Sequence, residues 1–436
     1  MLGWMFLSEL VPISKRAWIV YNPVFAEVLL RMCCLMSCSS AKSAGWADLP
    51  SEIVVSIAKR LVVAEVVRLR AVCSCWAWAL GKSSGLRQKG LYSPSPWILL
   101  PNSSLEDVDF CTFFSITEDR FYRVPSLKQI TDRRYILLSS SQHGWLVSID
   151  NVLAPYFINP LTRQILHLPT LLTIPRSRCS NLYFALGAST NKRMFYEQYL
   201  RKIILISTPL EERIAVAFCR THYHGICLLF AGVEDDVWSI GPSLPLDLNC
   251  SLDDIKYNEG DDKLYVLTSS GDVFVLQFKN HTLEIVSMVC RPIGYEHYRM
   301  FEGYISFSHG DLLLVNKYSK SYPSYNNTFN DTTFKIFRLD RASCWAPVDG
   351  LGNQALFIGP NNCFALHDVE EHKKNKIFFI HHVPTTRLLN ANKIRYSIQK
   401  FGVFDLETNK VEYVLPFELH AQYFPILFFP EPKLWD

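Results

Sequence analysis

A long succession of short strand-like runs, separated by turn residues, constrains the fold of this chain most. From residue 96 onward, β-branched, aromatic and aliphatic residues gather in short runs with no long helical pattern between them. In the run 263–278, a Ser-Ser-Gly-Asp centre between two apolar arms is typical of a β-hairpin. The other clear runs are 134–141, 144–150, 202–207, 304–308, 311–318, 334–339 and 376–383. This pattern predicts an all-β domain.

A weak internal repeat narrows the choice of all-β fold. Four segments share a strand, a short polar turn that usually carries Thr or Ser, and a return strand; they are 156–168, 275–288, 336–348 and 403–415. Their spacing of roughly sixty residues, or multiples of it, suits the four-stranded blades of a β-propeller. A β-sandwich is the alternative, but this length of strand pattern would be large for one sandwich. We therefore predict a β-propeller.

A different pattern precedes the strands, between Trp46 and Trp76. The apolar residues Ile53, Val54, Ile57, Ala58 and Leu61 form the stripe of an amphipathic helix. Asp48, Pro50 and Glu52 suit the start of that helix. Val72, Trp76 and Leu80 then recur at helical spacing before Gly81. A helical unit this small buries too little surface to be comfortable alone, so its apolar face indicates a partner.

Composition limits the classes of partner and compartment. The 436 residues are 49% hydrophobic and carry a formal net charge of +3, which is too balanced to indicate nucleic acid as the main partner. The 13 cysteines are odd in number and irregularly spaced, which indicates a reducing compartment. We therefore expect the protein in the cytoplasm, the nucleus or both.

The first 45 residues differ from the rest of the chain. An apolar run from Ala17 to Cys38 is interrupted by Asn22, Pro23 and Glu27, so it falls short of a membrane span and of a convincing signal peptide. We expect no membrane association. Our hypothesis is that residues 1–45 form a disordered or dispensable extension, and that residues 1–35 are an upstream extension of the gene model; the sequence does not decide whether the native protein contains them.

The helical stretch also carries a family resemblance. The run Leu49-Pro50, Glu52, Ile53, Ile57, Arg60-Leu61, residues 65–73 and Trp76 resembles an F-box along its whole length. Glu65 stands where the family usually has Asp, and Ala77 where a basic residue is common. The resemblance implies binding to the Skp-type adaptor of a cullin-RING ubiquitin ligase. The implied adaptor-facing and supporting residues are Leu49, Pro50, Ile53, Ile57, Leu61, Val72 and Trp76.

The strand-rich remainder resembles the C-terminal domain of a plant F-box group, the KIB-type proteins with kelch-like propellers. The resemblance rests on the segments 96–104, 140–150, 157–169, 348–366 and 401–414, in the expected order. Together the two resemblances imply a small all-α F-box of three short helices followed by a large all-β domain, a β-propeller. The predicted divisions are an N-terminal extension at 1–45, the F-box at 46–81, a linker at 82–91 and the propeller at 92–436.

No residue pattern predicts catalysis or a cofactor. The chain has no Gly-rich phosphate loop and no nucleophile elbow. His367 and His372 flank acidic residues at a spacing that a metal site sometimes uses, but a solvated loop explains them more simply. We therefore predict no catalytic, cofactor-binding or metal-binding residues. The candidate substrate-binding residues are those of two aromatic-rich loops, namely Tyr295, His297, Tyr298, Arg299, Tyr322 and Tyr325.

These expectations describe a non-catalytic adaptor. In this interpretation the F-box docks to the ligase and the propeller recruits a protein substrate for ubiquitination. Two alternatives stay open: an F-box protein that sequesters or inhibits its partner without ubiquitination, and a propeller that binds a glycan or small molecule. The sequence does not name the substrate, because the loops that would hold it come together only in space.

Overall fold

A computed structural model of the chain separates into two compact units, residues 1–95 with 431–436, and residues 96–430. The predicted extension at 1–45 and the predicted linker at 82–91 lie outside the described residues. The structure describes residues 49–58, 61, 63–70, 72–80, 96–100, 110–116, 118–125, 135–141, 144–150, 153–175, 200–208, 212–220, 226–246, 250–293, 295, 301–319, 332–340, 344–359, 362–389, 392–413, 419–421, 426–428 and 430.

Three short helices make up the described part of the first unit: α1 (Ser51–Ala58), α2 (Val63–Arg70) and α3 (Ser74–Leu80). Helix α1 begins directly after Pro50, whose carbonyl accepts from the backbone N–H groups of residues 53 and 54. One buried face of each helix forms the small core, through Val54, Val66, Leu69, Trp76 and Leu80. Burial of each large apolar side chain stabilises such a core by about 1.5–3 kcal/mol.

Six antiparallel or mostly antiparallel sheets form the second unit. Blade 1 contains β1 (Trp97–Leu99), β2 (Phe110–Ser115), β3 (Arg120–Pro125) and the C-terminal β26 (Ile426–Phe428). Blade 2 contains β4 (Tyr135–Ser140), β5 (Leu146–Asp150), β6 (Pro155–Ile158) and β7 (Ile165–His167). Blade 3 contains β8 (Leu200–Ser207), β9 (Arg213–Arg220), β10 (Ile226–Gly232) and β11 (Ser239–Ile240).

The remaining blades continue the same plan. Blade 4 contains β12 (Leu252–Asn258), β13 (Lys263–Thr268), β14 (Val273–Lys279) and β15 (Thr282–Val289). Blade 5 contains β16 (Phe301–Ser308), β17 (Asp311–Ser319), β18 (Thr332–Leu339) and β19 (Trp345–Pro347). Blade 6 contains β20 (Ala355–Gly359), β21 (Asn362–Leu366), β22 (Lys376–Leu389), β23 (Asn392–Asp405), β24 (Lys410–Tyr413) and β25 (Leu419–Ala421).

The six sheets close into a ring. The strands nearest the axis are β26, β4, β8, β12, β16 and β21; successive ones contact each other from β26 to β21, and blade 6 contacts β26 of blade 1 through β20. Blade 1 is completed from both ends of the domain, because β26 pairs with β1 in the register Trp97↔Phe428. This architecture is a six-bladed β-propeller. The prediction of an all-β propeller is confirmed, and the β-sandwich alternative is wrong because the sheets form a ring instead of two facing layers.

The sequence repeat corresponds to the two outer strands of four blades. Its four copies overlap β6–β7, β14–β15, β18–β19 and β23–β24. In two of these turns a side-chain oxygen accepts from the backbone just after it: Asn159 Oδ1 from the N–H of Leu161 and Thr162, and Asp405 Oδ1 from the N–H of Glu407 and Thr408. These local bonds hold the short turns without help from distant residues.

Apolar side chains fill the spaces between neighbouring blades. The contact between blades 5 and 6 buries Phe379 and Phe404 against Phe334, with ring centroids about as close as aromatic pairs normally pack. Trp145 and Trp238 are fully buried, and the Trp238 Nε1–H donates to the Pro169 carbonyl at 2.7 Å.

Candidate protein-binding surfaces

The seven residues predicted to support adaptor binding divide into two groups by exposure. Ile57, Leu61 and Trp76 are buried and fill the core of the helical unit. In contrast, Leu49 and Val72 are half-buried, Pro50 is exposed, and Ile53 is 40% exposed. Helical spacing alone did not separate these groups. The exposed group lies mainly at the start of α1, where an apolar surface remains open to solvent.

Trp78 is an exposed apolar residue that the sequence reasoning missed. Its side chain is 79% exposed, whereas Trp76 on the same helix is 2% exposed. Residues two apart on a helix point in widely different directions, so one of these tryptophans lies in the core and the other faces solvent. The signal in the sequence was the helical spacing of Val72, Trp76 and Leu80. This spacing places Trp78 off the apolar stripe of the helix.

The inner strands β16 and β21 begin at the same end of the ring, which we call the upper end, because His309 and His367, which follow the other ends of these strands, pack against each other. Because β20 is antiparallel to the inner strand β21 and parallel to β22, the strand β22 finishes at the upper end. The end of β17 and the start of β16 also lie there. Phe301, where β16 begins, and Ser319, where β17 ends, therefore lie at this same end of the ring.

Tyr295 is the one predicted substrate-binding residue that falls among the described residues. It is half-buried, and its hydroxyl lies 3.5 Å from Asn316 Oδ1 on β17. Its ring covers Gly271, where an added Cβ atom would lie 2.6 Å from ring carbons. Burial, followed by the nearby negative charge of Asp253, raises the pKa of Tyr295. Tyr295 is therefore a neutral, packed aromatic residue beside the upper end.

The other predicted substrate-binding residues lie outside the described residues. They are His297, Tyr298, Arg299, Tyr322 and Tyr325. Their role in substrate binding stays a prediction.

A long two-stranded ribbon distinguishes blade 6. Strands β22 and β23 pair over fourteen residues each, from Lys376↔Asp405 to Leu389↔Asn392. Strand β20 pairs with β22 only from Lys376 to Phe379. The part of the β22–β23 hairpin beyond Ile380, residues 381–389 and 392–400, we call the ribbon. It is directed toward the upper end, and among the described strands only β25 pairs with it, at residues 397–399.

A buried polar network links the inner strands near the axis. Lys202 on β8 donates to Asp254 Oδ1 on β12 at 2.5 Å, and both side chains are almost wholly buried. Asp254 Oδ2 accepts from the backbone N–H of Ile305 on β16 at 2.9 Å. Lys256 Nζ donates to the Cys363 carbonyl on β21 at 2.8 Å and to Asn362 Oδ1 at 3.3 Å. The network thus connects blades 3, 4, 5 and 6.

The pKa of Lys256 in this network departs from its ordinary value. Burial, and next the positive charge of Lys202, lower the pKa of Lys256 to about 8. A lysine with a lowered pKa sometimes acts as a nucleophile. Here two of its three N–H donors are engaged by Asn362 and Cys363, and the space left between Lys202, Lys256 and Asn362 is too small to admit a water molecule. In this structure Lys256 links blades 4 and 6 and does not face a substrate cavity.

The histidines weighed as metal ligands are dispersed. His367 packs its ring against that of His309, with centroids 4.0 Å apart, whereas His372 lies 3.5 Å from Glu370. Across the described segments, no group of three or more His, Cys, Asp or Glu side chains is arranged to hold a metal ion. The same segments contain no helix long and apolar enough to cross a membrane.

Comparison with known proteins agrees with this architecture. Residues 113–405 match the family model of the KIB1-4 beta-propeller. A putative F-box protein of Arabidopsis thaliana is 24% identical over 77% of this chain and 83% of its own, and a probable F-box protein of the same plant is 23% identical over 86% and 92%.

Among solved structures, the chain is similar to a putative 6-phosphogluconolactonase from Bacteroides fragilis. It is 8% identical, with a TM-score of 0.33 over 77% of this chain and 98% of that chain. The family match, by contrast, covers more than half of the chain and confirms the predicted resemblance. The chain therefore belongs to the KIB1-4 beta-propeller family, and its relatives are plant F-box proteins.

Proposed function

We propose that this protein is the substrate receptor of an SCF-type ubiquitin ligase. In this role the three-helix unit is an F-box that docks to a Skp-type adaptor, and through it to a cullin-RING ligase. The propeller recruits a protein substrate. The observation that carries the proposal is the open apolar surface at the start of α1, formed by Leu49, Pro50 and Ile53, in a chain whose relatives are F-box proteins.

The physical mechanism we propose is tethering. A separate conjugating enzyme would supply the activated ubiquitin, while this chain holds the substrate close to it. Tethering raises the effective concentration of substrate lysines near the enzyme, so the rate rises without chemistry from the receptor itself. This assignment makes the polypeptide a non-catalytic adaptor of the cytoplasm, the nucleus or both. The buried position of Lys256 fits a structural role in such a protein.

Adaptor binding is tested by co-purification of the full chain with a Skp-type adaptor. We expect Leu49→Ala/Pro50→Ala to abolish the complex, because both residues contribute to the open apolar surface. The matched control is Ser56→Ala, which changes an exposed polar residue on α1 and is expected to keep the complex. An unchanged complex with the double variant would show that this surface is not the interface.

A second function, sequestration of a partner without ubiquitination, uses the same two surfaces. The two functions differ in the fate of the bound protein. A receptor lowers the abundance of its substrate in a manner that a proteasome inhibitor reverses, whereas a sequestering protein leaves abundance unchanged. A glycan-binding or small-molecule-binding propeller would instead bind its ligand through residues 92–436 with no dependence on the helical unit.

A further inference from the structure

The outer strand of blade 4, β15, is the longest outer strand among the described blades. It has eight residues, whereas β3 has six, β24 has four, β7 and β19 have three and β11 has two. An outer strand is paired on one side only, so about half of its backbone N–H and C=O groups point away from the sheet. Of the described strands, only β14 pairs with β15. Its other edge can therefore accept a further strand.

The side chains along β15 are unusually apolar for a sheet edge. Ile285, Val286 and Met288 are exposed, and so is Ile293 just beyond the strand. From Ile285 to Cys290 the sequence has no charged residue and no proline, although these residues normally prevent pairing at exposed edges. By comparison, β3 contains two arginines and a proline, and β24 contains a lysine and a glutamate. The edge of β15 thus lacks the usual protection against strand addition.

Opposite charges flank this uncharged stretch. Glu284 precedes it and Arg291 follows it, and both residues are exposed. The Arg291 backbone N–H donates to Asp272 Oδ1 at 2.9 Å, so the chain continues beyond β15 alongside the turn that leads into β14. The Glu284 carboxylate lies 3.9 Å from Lys279 Nζ on the same hairpin. The edge therefore carries a negative charge at one end and a positive charge at the other.

We propose that the open edge of β15 pairs, in antiparallel orientation, with β15 of a second copy of this chain. A two-fold axis near Ser287 would place Glu284 of each copy opposite Arg291 of the other, and would bring the exposed apolar residues of both copies next to each other. The charges select the antiparallel orientation, because an in-register parallel pair would bring like charges together. This symmetric match of charge favours a second copy over a partner of different sequence.

The structure indicates a weak dimer. The register passes from Val275↔Ser287 to Leu276↔Ile285, so Val286 is a bulged residue that interrupts regular pairing at one position of β15. A contact confined to one pair of strands also falls at the low end of the sizes of specific interfaces. We therefore expect a dimer that forms and dissociates with protein concentration.

The test is analytical ultracentrifugation of the full chain at about 1 to 100 µM, the range in which weak complexes dissociate. A reducing buffer prevents disulfide bonds between exposed cysteines. We expect the wild-type mass to rise from that of one chain toward that of two. The blocking variant, Ile285→Lys/Met288→Lys, places like charges near each other across the axis and is expected to stay monomeric. Its matched control, Leu172→Lys/Val237→Lys, changes exposed apolar residues outside blade 4 and is expected to dimerise like the wild type.

A charge exchange tests the orientation and register of the pair. We expect Glu284→Arg alone and Arg291→Glu alone each to weaken dimerisation by about tenfold or more, because like charges then face each other. The double variant Glu284→Arg/Arg291→Glu restores opposite charges across the axis and is expected to dimerise like the wild type. The melting temperature of each variant establishes that it folds. If the blocking variant does not fold, the charge exchange decides alone.

A wild-type chain that stays monomeric at the highest concentration would overturn the proposal. Equal dimerisation by the wild type and a folded blocking variant would also overturn it, as would a dimer that the control variant loses to the same extent. A double variant that dimerises no better than its two single variants would show that the copies do not pair in the proposed antiparallel register.

Discussion

At the scale of single residues, exposure separates binding from stability in the helical unit. Trp76 is 2% exposed and Ile53 is 40% exposed, although both belong to the motif that resembles an F-box. Removal of a buried aromatic side chain leaves a cavity, whereas removal of an exposed one loses only its partner contacts.

We therefore expect Trp76→Ala to lower the free energy of unfolding of the helical unit by about 3–5 kcal/mol. Ile53→Ala is expected to change it by about 0.5 kcal/mol or less and to weaken adaptor binding instead. Urea denaturation and adaptor titration of both variants measure the two effects. Loss of folding by Ile53→Ala, or full stability of Trp76→Ala, would contradict this division.

The lowered pKa of Lys256 predicts that the stability of the propeller depends on pH. Its pKa is lowered to about 8 from an ordinary value of 10.5, so above pH 8 the folded protein releases this proton while the unfolded chain still holds it. Since the unfolded state then binds more protons, stability rises with pH in this window.

The comparison variant is Lys256→Met, which has no charge to titrate. Between pH 8 and 10, we expect the stability of the wild type relative to Lys256→Met to increase by about 2 kcal/mol, which is most of the roughly 3.4 kcal/mol that corresponds to the full pKa shift. Urea denaturation at pH 7, 8, 9 and 10 measures the difference. A difference that is independent of pH would show that Lys256 keeps an ordinary pKa in the folded protein.

At the scale of elements, the turn between β13 and β14 supports Tyr295. Gly271 adopts φ of +92°, and an added Cβ would collide with the Tyr295 ring. Gly310, in the turn between β16 and β17, has a similar φ of +88° but open space around it. The two glycines form a matched pair for substitution by Ala. Both variants would place a residue with a Cβ at positive φ, but only Gly271 lies against the Tyr295 ring.

We expect Gly310→Ala to cost about 1–2 kcal/mol of stability, the usual penalty of positive φ for a residue with a Cβ. Gly271→Ala is expected to cost more and to increase hydrogen exchange of residues 291–295. Equal costs for the two variants, with unchanged exchange, would show that Tyr295 is not held by this turn.

Sequence patterns identified the elements that rest on local chemistry. The outer hairpins were recognisable because Asn159 and Asp405 bond to backbone groups two or three residues away. The Lys202–Asp254 pair was not recognisable, because the partners lie 52 residues apart and meet only when the ring forms. The full ribbon was also missed: the strand prediction ended at residue 383, before Pro384, a residue that usually marks the end or edge of a strand.

At the scale of the whole molecule, the ring depends on a strand from the far end of the chain. Phe428 on β26 is fully buried between Trp97 and Phe113, with centroid distances of 6.3 and 5.3 Å. The number of blades was not predictable from the repeat, because blade 1 is assembled from both ends and blade 6 has extra strands.

We expect Phe428→Ala to lower the free energy of unfolding of the propeller by about 3–5 kcal/mol, since it creates a cavity where the ring closes. The control is Phe121→Ala on β3 of the same blade, which is 54% exposed and is expected to cost less than about 1 kcal/mol. Both are measured by urea denaturation. Similar values for the two variants would mean that closure by β26 contributes little stability.

The most direct test of the receptor function is the abundance of proximity-labelled proteins in plant cells, with and without a proteasome inhibitor. The wild type is compared with Leu49→Ala/Pro50→Ala. In wild-type cells, we predict labelled proteins that accumulate when the inhibitor is added. In cells with the variant, we predict that the same proteins are already abundant and that the inhibitor does not change their abundance. Labelled proteins whose abundance responds to neither the inhibitor nor the variant would contradict the receptor function and favour sequestration.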